Sequence, residues 1–439
     1  MRDISKTNYR GNTEDRAEHE PAATAFSYKI FIAVLLHVAI GCVSLIIVAD
    51  YQSYVLFDRG HLAYAIGVSA TFSAVGMLFA IAPFTFGYFT GFYLFTVAAG
   101  FLWLNCFSRY DYDHRVAGLS AAVSALLFLL PALLVHAPLK QTLVLSRRNF
   151  EHLLTAILVL ALATVAIASS LHFRLVSLSQ MYDFRSELNY PAVLRYLIGI
   201  VPNALLPLAF AGYLVLRSYW KAAITLLIFP LFYPITLSKL AFFAPFWVLA
   251  VWIGSRFFAA RTVVILSLLV PMSIGVGLML LREHQTIMAY FYLVNIRMIA
   301  VQSSAIDVYN DFFASHPHTY FCQIGVIKAL AGCPYQYPLA IVMQNTYGFG
   351  NLNASLFATE GVASVGHYLA PLAALVCGLI VAIGNRAAAG LPPGFVLVSA
   401  SMIPQIIMNV PLTVTMVSHG TILLFAIWYV TPRTIFAPE

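Results

Sequence analysis

"KIFIAVLLHVAIGCVSLIIVA", residues 29–49, decides the fold, because Lys29 at its edge is its only charged side chain. An α-helix rises about 1.5 Å per residue, so a run of this length covers about 30 Å, the hydrocarbon thickness of a bilayer. In lipid a helix satisfies every backbone polar group internally. The run reads as a membrane-spanning helix.

Eleven further segments meet the same test, at about 62–82, 84–105, 116–136, 151–171, 194–216, 219–236, 240–257, 262–281, 356–384, 393–411 and 413–430. The run at 356–384 is long enough to begin as a tilted or re-entrant piece. The expected fold is an all-α polytopic membrane protein of about twelve transmembrane helices. Residues 1–28 form a polar cytoplasmic tail, 29–281 the first nine helices, 282–355 one long periplasmic loop, and 356–439 the last three helices with a short cytoplasmic end. Composition agrees: 61% of residues are hydrophobic and 9% charged, where soluble domains carry roughly 25% charged residues.

The net charge of +7 is a matter of topology. Twelve crossings put both termini on one side, and 14 of the 24 Lys and Arg fall there with seven of the 17 acids. That side therefore holds the whole excess and is the cytoplasmic one. No nucleic-acid partner is needed to explain the basic balance. Cys42, Cys106 and Cys377 lie in apolar runs, whereas Cys322 and Cys333 share the long loop and pair if it faces an oxidising compartment.

Outside the cytoplasm nucleotide sugars are absent, so an enzyme acting there needs a substrate that carries its own leaving group. Candidate groups gather on that face. Arg185 in "YDFRSEL" and Arg297 in "VNIRMIA" flank aromatics, and arginine binds phosphate through two parallel hydrogen bonds. Lys239 in "LSKLAFF" either snorkels or adds fixed positive charge. "HPH" at 316–318 holds too few ligands for a metal, and His316 is better read as a base or a turn residue. "DYD", Asp111 and Asp113, looks like the acidic pair of metal-dependent lipid-sugar glycosyltransferases but follows the third span rather than the first.

"RMIAVQSSAIDVYNDFFASHP" followed by "GFGNLNASLFATEGVASVGHYLAPLAALVCGLIVA" resembles the Wzy-type oligosaccharide repeat-unit polymerases of bacteria. The shared features are an Arg-led outer segment ending in a Y..F...HP run, then an Asn-rich stretch leading to an acidic residue at a late span. The likeness covers about 182–384; the first five spans match in hydropathy alone. It implies a C-type integral-membrane glycosyltransferase related to the O-antigen ligases, working without cofactor or metal at the periplasmic face of the inner membrane. The implied substrates are undecaprenyl-pyrophosphate-linked oligosaccharides, and the implied protein partner is a chain-length regulator. The residues fit that chemistry on their own terms: a sugar hydroxyl acceptor calls for a base, with Glu360 the first candidate and His316 the second. Arg185, Arg297 and Lys239 face the pyrophosphate, and Asn351, Asn353 and Tyr309 hold sugar. An O-antigen ligase and a secondary transporter are the alternatives.

"NLNASLFATEGVASVGHY", 351–368, sharpens the expectation. On an uninterrupted α-helix Asn353, Glu360 and His367, seven apart, share one face. Asn353 or Asn351 caps that helix, and Glu360 points into an outer-facing cavity near both arginines.

Overall fold

The computed structural model describes residues 26–177, 180–181, 184, 187–281, 285–350 and 352–436. Arg185 and Asn351 lie outside the described residues. Every regular element among the described residues is helical.

Ten of the twelve expected spans are single helices long and apolar enough to cross a membrane: Tyr28–Ala49, Arg59–Ile81, Phe86–Asn105, His114–Leu134, Arg147–Leu171, Ala192–Val215, Tyr219–Thr236, Lys239–Phe257, Ala260–Leu281 and Phe357–Ala388. The chain is a multi-pass membrane protein. Several helices start where the sequence supplies a capping oxygen. Thr85 Oγ1 accepts from Tyr88 N at 3.0 Å, Asp113 Oδ1 from Arg115 N and Val116 N at 3.0 Å, and Ser146 Oγ from Asn149 N at 3.1 Å.

The third span, Phe86–Asn105, is the hub, with 94% of its apolar window buried against 28% for the peripheral Lys239–Phe257. Small residues let helices close on it and on one another. A Cβ on Gly378 would lie 2.4 Å from Phe128 O, so only glycine allows the fourth and tenth spans to pack this closely.

Hydrogen bonds tie one end of the bundle together. Ser27 N donates to Ala80 O at 3.1 Å, Leu139 N to Arg386 O at 3.3 Å and Leu145 N to Val430 O at 2.9 Å. Arg261 donates to Ala80 O and Ala82 O. Arg433 donates to the carbonyls of Ala387, Ala389, Trp428 and Thr431, capping the C-termini of two helices with one cation. This basic end is the one the charge count singles out.

Three expectations change. The expected span 393–411 is two short helices, Pro393–Ser399 and Ile403–Ile407. Pro404 has no N–H for the Ala400 carbonyl, which instead accepts from Ile403 N at 2.9 Å. Indole groups satisfy the break: Trp247 Nε1 donates to Ser401 O at 2.9 Å and Trp428 Nε1 to Ser399 Oγ at 3.0 Å. The last expected span is a bent pair, Leu412–Ser418 and Thr421–Val430, which turns by 62°. Gly420 at the bend has φ 79°.

The expected loop is helical over much of its length. Gln285–Phe291, Tyr292–Ala300 and Val301–Ser315 run on as one helical stretch, its middle portion wound as π-helix. It leaves the far end of the ninth span and sinks among the helices. There Asn295 Nδ2 donates to Ser44 Oγ and to Met272 O, both at 3.0 Å, and Ser303 Oγ donates to Val97 O at 3.2 Å. It returns to the same end at Asp311, whose Oδ1 accepts from Asp111 N at 2.9 Å. It does not cross. Its buried Gln302, Ser303, Ser304 and Asn310 make it too polar for a hydropathy window to recognise.

The run 357–388 begins as the re-entrant piece its length allows. Phe357–Ala363 is π-helical, and the helix breaks at Gly366, with φ 73° and ψ 173°, a region only glycine occupies readily. A Cβ on Gly361 would lie 3.2 Å from Ala370 Cβ, although nine residues of straight α-helix would separate them by about 13 Å. The first arm therefore folds back beside the second, as a re-entrant piece.

Candidate functional site

The polar connections meet at the end opposite the basic one. On the helix Val301–Ser315, Asp307 and Asp311 stand one turn apart and face the connection after the third span. Tyr112 donates its hydroxyl to Asp307. Asn105 Oδ1 lies 2.9 Å from the same hydroxyl, and His114 Nδ1 lies 3.2 Å from Asn105 Oδ1. Asp311 is held by the Asp111 N–H at 2.9 Å and the Tyr347 hydroxyl at 2.5 Å.

A cleft of ≈ 190 Å³ opens beside this network, lined among others by Tyr54, Ser108, Arg109, Tyr110, Asp307 and Phe349. Tyr54, Tyr110 and Phe349 supply rings to its walls: Tyr54 and Phe349 lie 5.4 Å apart, and Tyr110 is backed by Tyr347, edge to face at 5.8 Å. Asp307 is 4% exposed. Burial pushes its carboxyl up to about 6, against the opposing pull of the Tyr112 and Ser108 hydroxyls. Burial likewise pushes the Tyr54 phenol up to about 12, with the Arg297 guanidinium acting in the other direction. A cation, a carboxylate and aromatic faces thus converge on one small space, which suits a polyhydroxylated or anionic ligand.

The expected site residues that are described do not assemble as one cavity. Glu360 is 1% exposed and absent from the cleft lining. Its Oε1 accepts from Thr413 N at 2.9 Å and Thr413 Oγ1 at 2.8 Å, and its Oε2 accepts from Thr359 Oγ1 at 2.7 Å. The expected polar stripe fails for a physical reason. Asn353 precedes the helix in irregular backbone, and the break at Gly366 puts His367 on a different arm from Glu360. Nor does Asn353 cap the helix, which begins at Phe357 after Leu356 with no side-chain cap.

The other candidates scatter. Tyr309 is 1% exposed, and its hydroxyl donates to Leu352 O at 3.5 Å, so it braces the chain before the re-entrant arm rather than meeting sugar. His316 is exposed at the end of its helix; its ring stacks on Phe312 at 3.9 Å and its Nδ1 donates to Phe312 O at 2.8 Å. Arg297 is exposed and near Tyr54, so it belongs to the cleft's surroundings. Lys239 opens its helix beside the 172–190 connection, where Tyr190 donates to Ile235 O at 2.8 Å and Arg174 N to Pro234 O at 3.1 Å. The "DYD" pair splits, because Asp113 caps a helix while Asp111 binds Asp311 through its backbone.

Cys322 and Cys333 are disulfide-bonded, with Cα atoms 5.3 Å apart. The bond closes 322–333 next to the turn after His318, which meets the re-entrant arm where Thr319 N donates to Ala363 O at 2.8 Å and Tyr320 N to Ser364 O at 3.2 Å. His318 Nε2 would lie 3.0 Å from a Cβ on Gly366, a second reason for glycine there.

Sequence reasoning missed Asp307, Arg109, Tyr110 and Tyr112. The signal was present as two acids four apart in "IDVYND" and an aromatic-rich "RYDYD" after a span. Only the fold brings the two together. No family model, curated protein or solved structure matches the chain.

Proposed function

We propose that this protein is an integral-membrane glycosyltransferase that polymerises oligosaccharide repeat units carried on undecaprenyl pyrophosphate. The growing glycan passes from its lipid to the non-reducing end of a new lipid-linked repeat, at the periplasmic face of a bacterial inner membrane. The observation that carries this reading is the cleft of Arg109, Asp307 and aromatic rings, with Arg297 beside it, at the end opposite the basic one. A pyrophosphate leaving group gathers negative charge as its bond breaks, and fixed guanidinium groups stabilise that charge. Aromatic walls suit sugar rings.

Two further observations support the sidedness. The excess of Lys and Arg lies at the opposite end, as in cytoplasmic faces. The Cys322–Cys333 bond fits an oxidising compartment. The likeness of 182–384 to Wzy-type polymerases supports the reaction, and with it a chain-length regulator as partner.

Deleting the gene and resolving surface glycan on a gel tests the reading. Loss of a polymerase leaves single repeats attached to their acceptor, whereas loss of a ligase leaves none attached. An unchanged long-chain ladder contradicts the proposal.

One observation favours a second reading, a secondary transporter. The arm Phe357–Ala363, the pair Pro393–Ser399 and Ile403–Ile407, and the pair Leu412–Ser418 and Thr421–Val430 are all interrupted, and two of them meet at Glu360 and Thr413. Broken helices around a buried ionisable group mark many transporter sites. Uptake of solute into vesicles, abolished in Glu360→Gln, would favour that reading.

A further inference from the structure

We propose that Asp307 is a catalytic residue of the cleft, its carboxylate taking the proton from the acceptor sugar's hydroxyl. The inference rests on the glycosyl-transfer reading above and assigns the base that reading lacks.

Asp307 is the carboxylate that lines the cleft, and Arg109 lines the same space. Of the other acids nearby, Asp111 is absent from the cleft lining and meets Asp311 through its backbone N–H. Asp311, one turn on, is held by the Asp111 N–H and the Tyr347 hydroxyl, and Asp113 caps its helix. Glu360 is enclosed by Thr359 and Thr413. Asp307 sits mid-helix rather than on a loop, so its Cα is fixed by packing. From the facing connection Tyr112 donates to one carboxylate oxygen, Oδ1. A carboxylate offers four lone-pair sites, so this contact and the Ser108 hydroxyl orient the group and leave room for a substrate hydroxyl.

The step balances without an added reagent. The acceptor O–H bond breaks and its proton passes to Asp307. The oxygen's electron pair forms the new bond to the donor's anomeric carbon. The bond from that carbon to the pyrophosphate oxygen breaks, and its electron pair leaves with the lipid pyrophosphate. Nothing is oxidised or reduced, and Asp307 returns its proton to solvent.

Burial holds the Asp307 carboxyl at about 6, so it is ionised and still basic at neutral pH. The groups that act on it are Tyr112 and Ser108 by hydrogen bond and the Asp311 charge. Tyr110 and Tyr347 in turn feel its charge.

The test uses the full-length protein in lipid vesicles with lipid-pyrophosphate-linked repeat units, measuring initial elongation rates from pH 5 to 9. The wild-type rate is expected to fall as pH drops through about 6, because the base becomes protonated. Asp307→Asn is expected to lower kcat at least ~100-fold with KM changed by less than about threefold. Tyr112→Phe removes a hydrogen-bond donor to the charged form and is expected to shift the acid limb to higher pH. A wild-type rate that is flat from pH 5 to 7, or an Asp307→Asn enzyme above about a tenth of wild-type kcat, overturns the inference. If Asp307→Asn does not fold, the Tyr112→Phe profile decides, and an unshifted limb counts against Asp307. An inactive wild type sinks the glycosyl-transfer reading and this inference with it, whereas an active wild type with an unaffected Asp307→Asn sinks the inference alone.

Discussion

Thr413 aims both its backbone N–H and its hydroxyl at one oxygen of Glu360, at 2.9 and 2.8 Å. Thr413 lies in the first turn of Leu412–Ser418, so the carboxylate caps a helix N-terminus from another element. Glu360 thereby joins the re-entrant arm to the last bent pair.

This relationship predicts a structural phenotype. Glu360→Ala leaves buried donors unsatisfied and is expected to lower stability by roughly 3 kcal/mol. Glu360→Gln keeps an oxygen for Thr413 and is expected to cost about 1 kcal/mol and retain most glycan elongation. Thermal melting in detergent and an elongation assay check both. A stable but inactive Glu360→Gln would restore Glu360 as the base.

Asp307 predicts the opposite sign. Its folded-state pKa is raised from 3.8 to about 6, so the fold binds this proton more tightly than the unfolded chain does. That contribution is present below about pH 4 and is lost as pH rises through about 6. Asp307→Asn is therefore expected to melt higher than wild type at pH 8, by up to roughly 3 kcal/mol, and equally at pH 4. Melting curves at the two pH values test this. Equal melting at both would mean that the carboxyl is not desolvated.

The Cys322–Cys333 bond closes a short loop next to His318 and the re-entrant arm. A double Cys→Ser variant is expected to lose about 2.5 kcal/mol, with faster hydrogen exchange confined to 316–335. Exchange spreading through the whole bundle would contradict a local role.

Arg433 caps two helix ends through the carbonyls of Ala387, Ala389, Trp428 and Thr431. Arg433→Ala is expected to lower stability by about 3 kcal/mol, and Arg433→Lys to recover less than half, because an ammonium cannot reproduce the planar fork. Melting of the two variants measures it; full recovery with lysine would show that charge alone suffices.

Legibility followed the physics of each element. The span Tyr28–Ala49 was plain because lipid-facing helices are apolar almost throughout. The basic end was legible because charge avoids the bilayer. The helix Val301–Ser315 was not, because it buries Gln302, Ser303 and Asn310 against other helices, and a window average cannot tell that from a polar loop. The heptad stripe through Asn353, Glu360 and His367 assumed uninterrupted α-helix, and Gly366 removed that assumption. Asp307 was passed over because its significance depends on Tyr112 and Arg109, almost 200 residues away in sequence.

The most direct measurement is elongation by the purified protein in vesicles supplied with undecaprenyl-pyrophosphate-linked repeat units. A ladder of lipid-linked multiples with release of undecaprenyl pyrophosphate is the expected result. Arg297→Ala is expected to elongate at least ~10-fold more slowly at unchanged melting temperature. Intact single repeats after prolonged incubation with correctly folded protein would contradict the account.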